Sequence, residues 1–223
     1  PRLMPNFSHG TAGVVYVLAR LADVTGREEY LDVSIQGARY LEGASTCGEG
    51  GWLLFHHEPG GEDLFYLSWC PGPVGTARAF YQLSRTTGEE AWLSWVQRGA
   101  VGIHNLGIPE NRTPGYWNNV SQCCGDAGVG DFFLALHALD GESGHDRMAW
   151  RVGEYLVARS EETDEGARWV QAEHRTRPDY VMPQTGWMQG AAGVGAFFLH
   201  LDGLERDRTD RVVFPDSPWS GLT

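Results

Sequence analysis

One short motif, x-x-G-x-x-G, occurs four times in this chain, and a run with helical periodicity follows each copy. The first glycines of the copies recur at intervals of 53 to 65 residues. Such a period predicts a chain of similar helical units that bury their flanks against their neighbours. The four copies are residues 8–13 (SHGTAG), 70–75 (CPGPVG), 123–128 (CCGDAG) and 188–193 (MQGAAG).

Each unit is predicted to begin with an amphipathic helix that closes at a glycine. A second helix is predicted in three units. Residues 26–31 and 88–93 share the pattern G-x-x-x-aromatic-Leu, and residues 145–158 form a looser copy. Short turns would join each pair of helices into an antiparallel hairpin. The first helices are predicted to stop near Gly26, Gly88, Gly141 and Gly203.

Longer segments connect each hairpin to the next motif. Short apolar runs in them predict two β-hairpins, the first of which turns at residues 58–61. The acidic stretch 161–165 is interpreted as a solvated loop. The paired runs are 52–55 with 64–67, and 169–171 with 180–182.

Composition narrows the classes of function. A formal charge of −12 argues against a nucleic-acid or anionic-membrane partner, and no apolar run approaches membrane-spanning length. Four cysteines in 223 residues do not make a disulfide scaffold, so a reducing, cytoplasmic setting is expected. The opening residues 1–5 (PRLMP) do not resemble a natural start, which predicts a truncated or processed N-terminus.

The two positions before the first glycine of each motif carry the side chains that could bind a metal or transfer a proton. They hold Cys70, Cys123 and Cys124 as soft metal ligands and His9 as a proton-transfer group. Equivalent positions at the start of the first helices would converge on one shared site if the repeats closed into a ring. The predicted fold is therefore all-α, an α/α toroid. This chain supplies a partial ring of about four units with short β-hairpin-like connections.

Several motifs together resemble the lanthionine synthetase C-like (LanC) family. They occur in the family's order and near its spacing, and the similarity extends over essentially all of residues 1–223. The resemblance implies one LanC-like cyclase domain of which this chain is the C-terminal portion, so the missing N-terminal part of the toroid is an expected partner. The matching segments are 6–13, 69–72, 123–128, 186–193 and the tail 212–216.

The family resemblance implies a central zinc ion and a carbon–sulfur bond-forming reaction. Members add cysteine thiols to dehydroalanine or dehydrobutyrine in a dehydrated precursor peptide. Carried across, Cys70, Cys123 and Cys124 would bind Zn²⁺, and His9 matches the acid/base histidine.

The chain also departs from the family pattern. Cys124 stands where many members have histidine, Tyr66 takes the place of an arginine, and Pro71 takes the place of a tyrosine. An aspartate that assists the histidine belongs to the segment absent from this chain. Addition of a thiol to a dehydroamino acid produces an enolate. These differences concern the residues that would stabilise this enolate more than those that would bind the metal.

Three protein ligands with an open fourth place are typical of catalytic rather than structural zinc. A substrate thiol in that place would ionise at neutral pH, and His9 could protonate the resulting enolate. Three unrelated buried cysteines and a helix-capping or core histidine are the alternatives, and Cys47 is a possible fourth ligand.

The remaining candidates have weaker signals. Tyr66, Trp69 and Trp187 are predicted to contact the substrate, with core packing as the alternative. Asp126 is predicted to cap the third motif helix, and Arg78 to be solvated or salt-bridged. The other histidines are assigned structural roles: His56, His57, His104, His137, His145, His174 and His200.

Two other functions share this sequence evidence. A LanC-like protein could add glutathione or another small thiol to dehydroamino acids. A non-catalytic, zinc-stabilised scaffold could bind a peptide or protein. Glycosidase chemistry, which toroids also host, is disfavoured because it needs two facing carboxylates where this chain has thiols and an imidazole.

Overall fold

A computed structural model describes residues 4–55, 64–206, 212, 214 and 217–219. Helices dominate it, as the periodicity predicts. The helices are α1 (Thr11–Thr25), α2 (Glu28–Ala44), α3 (Pro73–Thr87), α4 (Glu90–Asn105), α5 (Asp126–Asp140), α6 (Ser143–Ala158) and α7 (Ala191–Glu205).

The predicted helix ends are confirmed in three of four motif helices. Gly26, Gly88 and Gly141 adopt left-handed backbone conformations, and the N–H of each donates to the carbonyl four residues back. The prediction for the fourth is wrong, because α7 runs past Gly203 to Glu205.

A backward loop precedes three of the four motif helices, α1, α5 and α7, and explains why no side chain caps them. In α1, the N–H groups of Thr11 and Ala12 donate to the carbonyls of Met4 and Pro5, seven residues upstream. The same pairing recurs at α5 and α7: residues 126 and 127 donate to 119 and 120, and 191 and 192 donate to 184 and 185. Backbone carbonyls thus satisfy N–H groups that a helix start leaves unpaired.

This loop leaves no room for a side chain at the first glycine. A Cβ at Gly10 would lie 2.0 Å from the carbonyl oxygen of Met4, and one at Gly190 would lie 2.2 Å from that of Gln184. The second glycine is equally confined, because a Cβ at Gly75 would lie 1.9 Å from the Trp69 carbonyl oxygen. The x-x-G-x-x-G spacing is therefore the steric signature of this turn.

The chain divides into two compact units, Pro1–Ile108 and Pro109–Thr223. In the first, α1 packs on α2 and α3, and α3 packs on α4. Its core centres on Trp52, which is 1% exposed, donates from Nε1 to the Trp95 carbonyl (2.6 Å) and packs edge-on against Phe80. Gly99 and Gly102 of α4 leave the space that Trp52 occupies.

The second unit is built around α5, which packs on both α6 and α7. Gly130 in α5 admits the ring of Phe197, since a Cβ there would lie 2.4 Å from the ring. Gly153 in α6 admits Leu201 in the same way. Small residues thus set the close approach of α7 to its neighbours.

Both predicted β-hairpins are present. In the first, β1 (Ser45–Gly48) pairs with β2 (Gly51–Phe55), which also pairs with β3 (Phe65–Tyr66). β1 was not expected, and the predicted turn 58–61 lies outside the described residues, as do His56 and His57. In the second, β6 (Val170–His174) pairs with β7 (Arg177–Pro183).

The interpretation of residues 161–165 as a loop is wrong. β4 (Glu161–Thr163) and β5 (Gly166–Arg168) form an antiparallel ladder around this acidic stretch. All six residues are exposed, so the ladder has no apolar face to signal it in the sequence. No helix in the described residues combines the length and apolar content needed to cross a membrane.

The confined glycine predicts a large and position-specific cost for one methyl group. Gly190→Ala should lower the free energy of unfolding by about 1–3 kcal/mol, because backbone must move to admit the Cβ. The matched control, Gly43→Ala in α2, has open space around its Cβ and should raise stability by roughly 0.5–1 kcal/mol. Urea unfolding of both variants measures the difference, and equal effects would contradict the steric account.

Candidate metal centre

Cys70 lies in the motif turn that leads into α3. Its carbonyl accepts the backbone N–H groups of Phe7 (3.2 Å) and Ser8 (3.3 Å) from the first motif. The Ser8 hydroxyl oxygen is 2.6 Å from Cys70 Sγ, so the two motifs meet through backbone and side chain. The thiol is half-buried.

Cys123 and Cys124 lie in the equivalent turn before α5. Their sulfur atoms are 3.4 Å apart, and both residues are half-buried. The Cys123 N–H donates to the carbonyl of Met188 in the fourth motif (2.9 Å), and the Cys124 N–H donates to Ser121 Oγ (3.3 Å). This turn is thus fixed by hydrogen bonds on both sides.

The sulfur atoms of Cys70, Cys123 and Cys124 lie within 4.8 Å of one another, a grouping that could hold a metal ion. Tetrahedral zinc with Zn–S bonds of ~2.3 Å separates two ligand sulfurs by ~3.8 Å, so the donor set fits Zn²⁺ in type and spacing. Cys47, the possible fourth ligand, is exposed on β1 and is not part of this group.

Cys70 and Cys124 precede the first residues of α3 and α5, where the partial positive charge of a helix N-terminus stabilises a nearby anion.

His9 follows Ser8 directly and is exposed. Its backbone N–H donates to Asn6 Oδ1 (2.9 Å), which fixes the turn and leaves the imidazole at the surface. His9 is therefore one residue from the hydroxyl that contacts Cys70 Sγ. The capping and core alternatives do not describe an exposed imidazole on this turn.

The three aromatic candidates occupy different environments. Tyr66 is only 8% exposed, whereas Trp69 and Trp187 are half-buried. Trp69 packs edge-on against Phe7, and the guanidinium of Arg78 lies 5.7 Å from its ring centroid.

Asp126 was predicted to cap α5, and this prediction is wrong. Gly125 is the N-cap, and Asp126 is the first helical residue, with no exposed surface. Its carboxylate accepts two hydrogen bonds from Arg112 Nη2 (2.9 and 2.8 Å) and one from the Tyr116 hydroxyl. Arg112 also donates to the Trp117 carbonyl (3.2 Å), so this buried cluster folds the preceding loop against the start of α5.

Burial dominates the electrostatics of this cluster. It raises the pKa of Asp126, although the facing Arg112 guanidinium opposes it. Burial also raises the pKa of Tyr116 well above its ordinary value. Burial is the largest single effect on the pKa of Arg112 and would lower it, but Asp126, Tyr116 and Tyr155 together raise the net pKa.

A second polar network ties the residue before Cys123 to α5 and α7. Gln122 Nε2 donates to Asp131 Oδ2 (2.5 Å) and to the Gly193 carbonyl (3.0 Å). Asp131 Oδ1 in turn accepts from His200 Nδ1 (2.8 Å), while His200 Nε2 accepts the Val212 N–H (3.1 Å). His200 is therefore a buried structural residue, as expected from the sequence.

Repeated helical hairpins whose motif turns carry a thiol cluster define the class of this protein, and a family model makes the assignment specific. The model described as "Lanthionine synthetase C-like protein" matches residues 5–215. The chain belongs to this family. A search among curated proteins gives no match.

Comparison with solved structures supports the same fold. A structure titled "Nisin cyclase" superposes with a TM-score of 0.63 at 15% sequence identity. The match covers 99% of this chain and 50% of that one, so the chain spans half the length of the nisin cyclase chain. The mostly helical architecture with small hairpins thus matches part of an α/α toroid.

The buried Arg112–Asp126 pair should be essential to stability. Arg112→Ala leaves the Asp126 carboxylate buried without its cation and should cost about 3–5 kcal/mol of unfolding free energy. The matched control is Arg151→Ala, because Arg151 pairs with Glu110 at the surface with both side chains about half exposed. That loss should stay below about 1 kcal/mol. Similar unfolding midpoints for the two variants would argue against the buried pair.

Proposed function

We propose that this chain is the C-terminal portion of a zinc-dependent lanthionine or methyllanthionine cyclase domain, extending over residues 1–223. The observation that supports the proposal most is the cysteine grouping Cys70, Cys123 and Cys124 in a chain of the lanthionine synthetase C-like family. We further propose that its helical hairpins form about four units of a partial α/α ring.

The proposed reaction adds a cysteine thiol of a dehydrated peptide across the C=C bond of dehydroalanine or dehydrobutyrine. Zinc, when bound by the three cysteines, would lower the pKa of the substrate thiol so that it reacts as the thiolate. The C–S bond forms at the β-carbon, the π bond breaks, and the α-carbon takes up a proton. The proton that the thiol loses balances the proton that the α-carbon gains.

His9 is the proposed proton-transfer residue. Its exposed imidazole is accessible to a peptide, and its backbone is fixed by Asn6 beside the Ser8–Cys70 contact. An imidazole can accept the thiol proton or deliver one to the enolate. Trp69 and Trp187, both half-buried, are proposed to contact the peptide, and Tyr66 to contribute from its buried position.

A reducing compartment suits this chemistry. The described residues contain four cysteines, and the three proposed to bind metal must stay as thiols to do so. We therefore propose a cytoplasmic setting, with a dehydrated peptide as substrate and the remaining half of the domain as structural partner.

Metal content tests the ligand set. The purified protein should contain one zinc per chain, and Cys70→Ala should lose it because two thiolates do not hold the ion tightly. Cys47→Ala, a change at an exposed cysteine outside the group, should keep it. Elemental analysis and the thiolate charge-transfer absorption of the cobalt-substituted protein measure both. Retention of metal in Cys70→Ala would contradict the assignment.

Activity tests the role of His9. His9→Ala should lower thioether formation by roughly 10²–10⁴-fold, the usual contribution of a general acid–base group, while zinc content stays unchanged. Because cyclisation leaves the peptide mass unchanged, the assay counts the cysteines that remain open to alkylation.

The same assay separates the competing functions. Capture of added glutathione without loss of peptide thiols would instead support a small-thiol transferase. A zinc-loaded wild-type protein that forms no thioether at all would support the peptide-binding scaffold.

A further inference from the structure

Ser8 occupies the position in the first motif that cysteines occupy in the next two motifs. Ser8, Cys70 and Cys123 each stand two residues before the first glycine of their motif. A hydroxyl therefore takes the place of a thiol at an equivalent position. The difference matters chemically, because a serine hydroxyl can donate a hydrogen bond to a neighbouring thiolate, whereas another thiolate would add a negative charge.

The backbone of Ser8 is held against the turn of Cys70 by contacts that do not involve the Ser8 side chain. The N–H groups of Phe7 and Ser8 donate to the Cys70 carbonyl (3.2 and 3.3 Å). Phe7 also packs edge-on against Trp69, with ring centroids 5.4 Å apart. A Cβ at Gly75 would lie only 2.7 Å from the Phe7 Cβ, so the two turns approach closely. The hydroxyl is thus presented to Cys70 from a backbone that is already fixed.

The Ser8 hydroxyl faces the sulfur of Cys70. Its oxygen lies 2.6 Å from Cys70 Sγ and 3.4 Å from the Cys70 carbonyl oxygen. That carbonyl already accepts two backbone N–H groups, so the sulfur is the better acceptor for the hydroxyl proton. Either group can donate while Cys70 is a neutral thiol. When Cys70 is a thiolate, only the hydroxyl has a proton to donate, and the hydrogen bond is strengthened by the charge.

We propose that Ser8 is a positioning residue for Cys70, whose hydroxyl donates a hydrogen bond to the Cys70 thiolate and so fixes the orientation of that sulfur and its electron donation to a bound zinc ion. Groups that hydrogen-bond to a metal ligand commonly act in this way. The proposal rests on the ligand set of the proposed function. It adds a residue that contacts a ligand rather than the metal.

The hydrogen bond has a consequence for the open coordination place. Three thiolates surround an ion with more negative charge than the ion carries positive charge, which disfavours a fourth anionic ligand. A hydroxyl proton on one thiolate withdraws part of this charge. With Ser8 in place, the site therefore accepts the sulfur of a substrate thiolate more readily than three unassisted thiolates would.

The effect of the hydroxyl can be separated from the position of His9, the next residue. The Ser8 N–H bonds to the Cys70 carbonyl and the His9 N–H bonds to Asn6 Oδ1 (2.9 Å), and neither bond involves the hydroxyl. Removing the hydroxyl alone leaves this backbone in place. Its effect should therefore appear at the Cys70 sulfur rather than at the His9 imidazole.

Three variants of the purified protein test the proposal. Ser8→Ala removes the hydroxyl, and Ser8→Thr retains one. The matched control is Ser45→Ala, because the Ser45 hydroxyl lies 3.6 Å from the sulfur of Cys47, an exposed cysteine outside the metal-binding group. Each protein is loaded with Co²⁺ in place of zinc and its thiolate-to-cobalt charge-transfer band is recorded. Zinc affinity is measured by competition with a chromophoric chelator, and circular dichroism confirms that each variant is folded.

Ser8→Ala should move the charge-transfer band to longer wavelength, because a thiolate that has lost a hydrogen bond gives up an electron more easily. Its zinc affinity should fall by roughly 10–100-fold, the usual effect of removing a group that hydrogen-bonds to a metal ligand. Ser8→Thr should restore the wild-type band and affinity, and Ser45→Ala should change neither. A purely structural role of Ser8 would not move the band in a variant whose circular dichroism is unchanged.

A Ser8→Ala protein with the wild-type band and zinc affinity would overturn this proposal and leave the ligand set of the proposed function in place. A shift that Ser45→Ala shares, or that Ser8→Thr does not reverse, would overturn it as well. A wild-type protein that shows no thiolate-to-cobalt band would overturn the ligand set itself, and this proposal with it.

Discussion

The motif turns depend on one steric constraint, the close approach of their glycines to backbone upstream. Six of these glycines lie against the backbone carbonyl six residues earlier: Gly10, Gly13, Gly75, Gly125, Gly190 and Gly193. In α1, α5 and α7, the carbonyl that lies against the first glycine accepts the first N–H of the helix, which therefore needs no side-chain cap. Because no residue with a side chain fits at the glycine positions, the backbone just before them is held in one position. The side chains on that backbone are free to vary. That is why a histidine, cysteines or a methionine can occupy equivalent turns without altering the fold.

The turns are also bonded to one another in pairs. Phe7 and Ser8 donate to the carbonyl of Cys70, and Cys123 donates to the carbonyl of Met188, so in both pairs an earlier motif uses the carbonyl two residues before a later glycine. The thiol-bearing turn of Cys123 and Cys124 receives further support from Gln122 on one side and the buried Asp126 on the other. Hydrogen-bonded surroundings of this kind would hold the two thiols at a fixed spacing whether or not a metal is bound.

Sequence reasoning succeeded where a local rule fixes the structure. Helical periodicity closed by glycine predicted the ends of α1, α3 and α5, and periodicity alone predicted the paired helices α2, α4 and α6. The equivalent motif positions predicted that the three cysteines lie close together. It failed where the deciding partner lies elsewhere in the chain. Asp126 looked like a helix cap because nothing in the sequence marks Arg112, 14 residues away, as its ion-pair partner. β4 and β5 were missed because an exposed ladder of charged and small residues has no alternating pattern.

The segments that connect the units differ from one another in structure, whereas the motif turns are alike. The segment before the second motif forms a three-stranded sheet, whereas the segment before the fourth forms two separate two-stranded ladders, one of which exposes all seven residues of β7. Both nevertheless return the chain to the same glycine turn. Length and shape in these segments can therefore vary without moving the turns that carry the cysteines, as is usual for surface connections on a regular scaffold.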